Sequence, residues 1–394
     1  MNNHASVQTA SCPTGSEPSG SEVVRGDPAL TIQNVSKVVA PPEPLDPALI
    51  EFGTTCTPNF FTMKYVNNRW ESPCIAPVQL FKLHPAAIVL QYSQSIFEGL
   101  KAFRQVNGRI VLFRPEMNAR RFNRSAARLN MPQVDEKLFV EATIRLVENE
   151  RYFVPPAPGS LYIRPTMIGV EPCIGVRSSH EFIFYILTLP AGAYFREVTS
   201  GAGSIDVLVS ESACRACPGG TGSVKTGGNY AASLDIIARA KRFGCAQVLF
   251  LDAVGRTNVE EMGGMNICFI SGGELITPPL SETILPGITR DAILRLASDL
   301  DISVKEVPID IRNVVADIQA GRITEAIACG TAASVTGIGT LHFENGRVIP
   351  VGNGSPGPIT NILYDRLAAI QYGRSSDERG WMTEVCRLES ARSN

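Results

Sequence analysis

The sequence lacks a long apolar run, an excess of charge of one sign and any recognisable cysteine framework, and each shortage removes a class of function. Its longest apolar stretch, residues 182–195, is broken by Pro190 and Gly192 and is too short for a bilayer-spanning helix, which needs about 20 apolar residues. Lys and Arg number 36 against 38 Asp and Glu, a formal net charge of −2. No global positive field draws such a chain to nucleic acid or anionic lipid. The cysteines at 12, 56, 74, 173, 214, 217, 245, 268, 329 and 386 are scattered over 394 residues, unlike a small disulfide-stapled secreted domain, and read as reduced thiols. The opening MNNHASVQTASCPTGSEPSGSEVVRGDP has no basic stretch followed by an apolar one, and its single Arg among acids is unlike an organellar presequence. A cytoplasmic rather than mitochondrial protein is expected.

What is present is a globular composition, 44% hydrophobic with 34 Gly and 27 Pro, and enough length for two domains. Residues 1–48 are rich in Ser, Gly, Pro, Thr and Glu and are expected to form a disordered tail. Strands are expected at 100–103 and 110–113, joined through Asn107-Gly108, whose residues tolerate the positive φ of a tight turn. Helices are expected at 116–129 and 135–150, the second on the helical spacing of Phe139, Ala142, Leu146 and Val147. Further strands are expected at 161–165 and 182–189.

The segment 191–204 reads as an interdomain loop. It divides a small α+β domain, 49–190, from a larger one, 205–394. The second part begins with a strand at 205–210, a Gly-rich loop at 218–228, a helix at 230–243 and a strand at 247–252. A hairpin around Gly272-Gly273 and a helix at 289–300 follow. Long helices mixed with hairpins, without regular βα alternation, predict an α+β architecture in two domains.

Three segments carry chemistry. In Cys214-Arg215-Ala216-Cys217-Pro218-Gly219-Gly220-Thr221-Gly222-Ser223-Val224-Lys225-Thr226-Gly227-Gly228-Asn229-Tyr230, glycines flank one lysine just before a helix. A phosphate-cradling loop of the G-x-x-x-x-G-K-[ST] type is excluded because Ser223-Val224 precedes the lysine. The Cys214/Cys217 pair finds neither a thioredoxin-like context nor a second zinc-ligand pair, and reads as packed thiols. In Val259-Glu260-Glu261-Met262-Gly263-Gly264-Met265-Asn266, two acids precede a tight turn. Farther on, Leu285-Pro286-Gly287-Ile288-Thr289-Arg290 opens a helix whose free N–H groups suit an anion. In the 114–129 helix, Arg120, Arg124 and Arg128 share one face, which is expected to be solvated, whereas Arg114 and Arg121 point elsewhere, where one of them can grip a phosphate bidentately. A lysine amine for a Schiff base, an acid for a pyridine nitrogen, and an arginine with backbone N–H groups for a phosphate are together what pyridoxal phosphate requires.

The order and wording of these runs resemble the branched-chain amino acid aminotransferases, fold-type IV pyridoxal phosphate enzymes of the D-amino acid aminotransferase-like fold. The resemblance extends from about Phe60 to Tyr372 and includes Tyr92-Ser93-Gln94-Ser95-Ile96-Phe97-Glu98-Gly99-Leu100-Lys101-Ala102-Phe103, Tyr162-Ile163-Arg164-Pro165 and Gly192-Ala193-Tyr194-Phe195. It implies that Lys225 bonds to the cofactor aldehyde and moves the substrate Cα proton. It implies further that Glu261 rather than Glu260 faces the pyridine nitrogen, that Tyr230 meets the ring oxygen, and that Arg121, Ile288, Thr289 and Thr331 seat the phosphate. Tyr92, Phe97, Tyr162 and Tyr194 are implied around the substrate side chain, with Gly264 and Ala332 near its carboxylate. No metal is implied.

The implied reaction exchanges Leu, Ile or Val plus 2-oxoglutarate for branched-chain 2-oxo acids plus glutamate. A related aminotransferase making an unusual hydrophobic amino acid for a specialised pathway is the alternative. A homodimer is implied, with Tyr92 reaching the neighbour's site. The sequence departs from relatives in having Ala333-Ser334-Val335-Thr336 where animal members carry a Cys-x-x-Cys pair, Gly264 where many carry Thr, and Cys268 in place of an aromatic.

Overall fold

The computed structural model describes residues 30–192, 194–195 and 201–388. Residues 1–29 of the expected tail, 193 and 196–200 of the expected interdomain loop, and 389–394 lie outside these.

Two mixed sheets carry the fold. The first runs Gln33–Asn34, Arg69–Pro77, Asn59–Val66, Phe182–Ala191, Ser160–Gly169, Leu100–Arg104, Arg109–Phe113 and Met382–Arg387, with Ser95–Phe97 pairing beside Ser160–Gly169. Every pairing in it is antiparallel except that of Gln33–Asn34 with Arg69–Pro77. It therefore takes in chain from both sides of the expected 49–190 segment. The second sheet runs Val259–Met262, Gln247–Leu251, Ser204–Ser210, Ser334–Phe343, Ile323–Gly330, Asn266–Ser271, Glu274–Thr277 and Val304–Glu306. In it Ser204–Ser210 is parallel to both its neighbours, while Asn266–Ser271, Ile323–Gly330 and Ser334–Phe343 are antiparallel. Both sheets mix hairpins with crossovers, the α+β organisation expected from the order of elements.

The local signals act as their chemistry requires. Gly108 takes a φ of +80° in the hairpin between Leu100–Arg104 and Arg109–Phe113. Pro115 opens the helix Pro115–Arg128 at the position where a missing N–H costs nothing. Asp135 caps the helix Glu136–Asn149 by accepting from the Leu138 N–H at 2.9 Å. Phe139, Ala142, Leu146 and Val147 then bury one face in the core of the first sheet, against Phe122 and Phe184.

One expected element breaks. The helix foreseen over 230–243 is two pieces, Gly227–Ala231 and Leu234–Arg242. At the break the Ser233 N–H donates to the Tyr230 carbonyl at 3.1 Å and the Ser233 hydroxyl donates to the Asn229 carbonyl at 3.2 Å, while the Asn229 amide donates back to the carbonyls of Thr221 and Val224 at 2.7 and 2.9 Å. The Asn229 side chain thus ties the first turn to the loop before it.

Candidate active site

The Gly-rich loop is held against the first sheet by a short run of backbone pairing. The Phe97 N–H donates to the Lys225 carbonyl at 3.0 Å, the Thr226 hydroxyl donates to the Ser95 carbonyl, and the Lys225 N–H donates to the Ser125 hydroxyl. The lysine backbone is thereby fixed by a strand and a helix of the other sheet's layer. Its side chain runs over Phe97, with the amine 4.9 Å from the ring centre, and donates to the Tyr230 hydroxyl at 2.8 Å.

Around this amine lies a cavity of about 130 Å³, lined among others by Arg121, Glu261, Ile288, Thr289, Thr331 and the aromatic side chains named below. Arg121 is buried, and its Nε and Nη2 donate to the two oxygens of Glu98 at 2.7 and 2.8 Å. Glu98, fully buried, also accepts from the Asn118 amide at 2.7 Å and from the Gly99 N–H. Burial alone would raise this carboxyl, but the Arg121 charge and hydrogen bonds more than reverse that, and it lies below the usual carboxylate range. Arg121 spends one more N–H on the Pro286 carbonyl at 3.2 Å. A guanidinium has five N–H donors, so two remain uncommitted among the described residues. Beside them the helix Ile288–Asp299 begins, with Ile288 and Thr289 in its first turn. The N–H groups of its first turn, a buried arginine with two uncommitted donors and the Thr331 hydroxyl are groups of the kind that bind a phosphate dianion.

At another wall stands Glu261, buried on the strand Val259–Met262. One oxygen accepts from the Leu285 N–H at 2.9 Å and stands 2.6 Å from the Arg215 guanidinium; the other accepts from the Asn266 amide at 2.9 Å. Burial pushes its carboxyl up to about 7, with Arg215 opposing the rise. Glu260 is turned away, on the Thr283 hydroxyl, and does not line the cavity. Gly287 keeps this region closed: a Cβ there would fall 2.0 Å from the Asn266 oxygen and displace the amide that holds Glu261.

The aromatic side is built from Phe52, Phe97, Tyr162 and Tyr194. Phe52 meets the rings of Tyr162 and Tyr194 edge-on, each at 4.9 Å between centres. Gly99 lets Tyr162 in, since a Cβ would lie 2.3 Å from its hydroxyl. Arg164 lies over Phe97 at 4.6 Å and donates to the Tyr162 hydroxyl at 2.9 Å, while its Nε is buried without a partner.

Every residue that the resemblance assigns to cofactor or substrate lines this cavity except Tyr92. Tyr92 is 40% exposed, and its hydroxyl bonds the Ile174 carbonyl at the surface. Sequence reasoning passed over Glu98 and Arg164, although both stand inside quoted motifs, because a carboxylate or guanidinium in a run of strand residues carries no local mark of its partner. Phe52 lies upstream of every motif and leaves no signal at all. Arg120, Arg124 and Arg128 are exposed as expected. Cys217, expected to be packed, is exposed because the Pro218–Gly220 turn lies at the surface. Cys268, by contrast, is fully buried with Cys329 in the core under the second sheet. Among the described residues no cluster of His, Cys, Asp and Glu could hold a metal, and no helix is long and apolar enough to cross a membrane.

Comparison with known proteins agrees with this geometry. The family model for class IV amino-transferases matches residues 95–340. The branched-chain-amino-acid aminotransferase of Mycolicibacterium smegmatis is 46% identical over 341 residues, 85% of this chain and 92% of that protein. Branched-chain-amino-acid transaminase 1 of Bacillus subtilis is 41% identical over 351 residues, 89% of this chain and 98% of the relative. Among solved structures, the Escherichia coli branched-chain amino acid aminotransferase superposes with a TM-score of 0.66 at 29% identity, covering 82% of this chain and 99% of that one. The pyridoxal-phosphate form of the Thermobaculum terrenum enzyme gives 0.66 at 25% identity, covering 84% and 99%. With a lysine, a buried acid and a buried arginine lining one cavity, and with similarity along most of its length, the chain belongs to the class IV aminotransferases and, within them, to the branched-chain-amino-acid aminotransferase family.

Proposed function

We propose that this chain is a pyridoxal-phosphate-dependent transaminase that interconverts leucine, isoleucine and valine plus 2-oxoglutarate with branched-chain 2-oxo acids plus glutamate. One observation carries the reading: the Lys225 amine, bonded to the Tyr230 hydroxyl at 2.8 Å, lies in the same cavity as the Arg121–Glu98 pair and Glu261. The names of the relatives favour this reading over an aminotransferase serving a specialised pathway.

The residues fit the cofactor. Arg121, the N–H groups of Ile288 and Thr289, and Thr331 would hold its phosphate, Glu261 its ring nitrogen and Tyr230 its ring oxygen. When bound, pyridoxal phosphate supplies an electron sink for the substrate's Cα. Lys225 takes the proton from Cα and returns it on the other side of the exchange; Tyr230 fixes the amine for this by its hydrogen bond. Phe52, Phe97, Tyr162 and Tyr194 exclude water and bury an aliphatic side chain, a gain of about 0.8 kcal/mol per CH₂. Gly264 and Ala332, which line the same cavity, would meet the substrate carboxylate. Arg164, with its unpartnered Nε at the aromatic wall, answers the second carboxylate of glutamate or 2-oxoglutarate, so that one pocket serves an apolar and an acidic substrate.

The same reading makes the enzyme a cytoplasmic homodimer in which Tyr92 serves the neighbour's site, with 49–190 and 205–394 as its two domains joined by 191–204, apart from the strands Gln33–Asn34 and Met382–Arg387, which add to the first sheet. Borohydride treatment of the cofactor-loaded protein tests the chemistry. Reduction should fix the cofactor covalently to the peptide containing Lys225; a protein that takes up no label, or takes it up elsewhere, contradicts the assignment.

A further inference from the structure

A buried carboxylate facing a pyridine nitrogen is one of two bases that share a single proton, and a third group must decide which of them keeps it. On Glu261 the deciding group is at hand. Arg215 lies in the loop after the strand Ser204–Ser210, is buried, and brings Nη2 to 2.6 Å from the Glu261 carboxylate. The two hydrogens of that nitrogen go to the carbonyls of Gly222 and Thr283 at 2.7 and 2.5 Å, so its contact with Glu261 is one of charge. The guanidinium is therefore fixed by two segments at once: the loop that carries Lys225 three residues on, and the segment whose Leu285 N–H also reaches Glu261.

We infer that Arg215 is a positioning residue for transamination: by pairing with Glu261 inside the cavity wall it favours the ionised carboxylate against burial, so that the shared proton stays on the cofactor's ring nitrogen. The inference rests on the reading of Glu261 given above. The physical argument is a competition between burial and charge. Burial favours the neutral acid, and the groups facing Glu261 are Arg215 and Lys225, which oppose it, and Glu260 on its own strand, which reinforces it. In the proposed reaction the Lys225 amine is committed to the substrate's proton. A guanidinium, unlike an amine, does not exchange its charge in a protein. Without it the proton passes from ring nitrogen to carboxylate, and the ring loses the positive charge that draws electrons from Cα.

The test is the ¹⁵N chemical shift of the ring nitrogen in holoenzyme loaded with ring-¹⁵N pyridoxal phosphate, measured with kinetics on leucine. Wild type should show a protonated ring nitrogen. R215M should move the signal toward unprotonated pyridine and lower kcat by at least about tenfold, with KM changed by less than about threefold, the pattern of an interaction lost in the transition state. R215K should return the shift toward wild type. If R215M does not fold, R215Q, which retains a donor for the two carbonyls without the charge, must show the same displacement. A ring nitrogen still protonated in the uncharged variants, or R215K displaced as far as they are, overturns the inference and leaves Arg215 a packing residue. A wild-type ring nitrogen that is itself unprotonated overturns the role of Glu261 instead.

Discussion

Lys225 is one flexible amine whose use depends on what holds it. Its hydrogen bond to Tyr230 and its seat over Phe97 predict two grades of loss. Lys225→Ala should lower turnover by at least about 10³-fold, since both the covalent anchor and the proton carrier go. Tyr230→Phe should cost about 10- to 100-fold, the worth of one hydrogen bond to a charged group, while cofactor stays bound in the visible spectrum. Arg121 predicts a binding defect: Arg121→Met should weaken the apoenzyme's affinity for pyridoxal phosphate by about 10- to 100-fold, read by spectroscopic titration. Its partner predicts a stability defect. Glu98 is fully buried and paired, so Glu98→Gln leaves the Arg121 charge uncompensated and should destabilise the fold by about 3–5 kcal/mol, measured by denaturant unfolding. The folded carboxyl lies below its ordinary value of 4.5. The stability gained from its ionisation is therefore complete above about pH 4.5 and is lost as pH falls through the lower folded value; the variant should show a flatter acid limb than wild type.

The elements place these residues through short contacts between separate parts of the chain. The strand Ser95–Phe97 receives the Lys225 loop, and the helix opening at Ile288 lies next to the Asn266 amide that holds Glu261. Gly287→Ala therefore predicts more than a local clash: its Cβ must push Asn266 aside, and the variant should bind cofactor more weakly than wild type although it removes no polar group. An unchanged affinity would show that Asn266 has room to move.

Most element positions were legible in the sequence because they rest on local signals: the Asn107-Gly108 turn, Pro115 opening one helix, Asp135 capping the next. The site was legible as a set of motifs, and of the two neighbouring acids it is Glu261 that lines the cavity. What escaped was pairing across the fold. Glu98 with Arg121 spans 23 residues, Arg215 with Glu261 spans 46, and Phe52 meets Tyr162 and Tyr194 only in three dimensions. The broken helix after Lys225 escaped for the opposite reason, since its apolar spacing persists while the Ser233 N–H bonds the Tyr230 carbonyl and its hydroxyl donates to the Asn229 carbonyl.

For the whole molecule, the apolar residues left outside are informative. Leu80, Leu90, Ile174 and Val176 are 95%, 58%, 63% and 85% exposed, and Tyr92 stands among them in sequence. A second copy of the chain would cover such side chains, and the proposed dimer predicts that Val176→Glu shifts the protein toward monomer in equilibrium sedimentation, with activity falling in step. A fully active monomer would refute the shared site.

The central claim, transamination of branched-chain amino acids on Lys225, is tested most directly by the visible spectrum of the cofactor-loaded protein during titration with L-leucine, then isoleucine, valine and other hydrophobic and charged amino acids. The account predicts that the three branched-chain amino acids and glutamate convert the bound cofactor from its carbonyl-derived form to the amine form, and that 2-oxoglutarate restores it. A cofactor band that leucine leaves unchanged while another hydrophobic amino acid bleaches it would contradict the substrate assignment, and a protein that binds no cofactor would contradict the reaction itself.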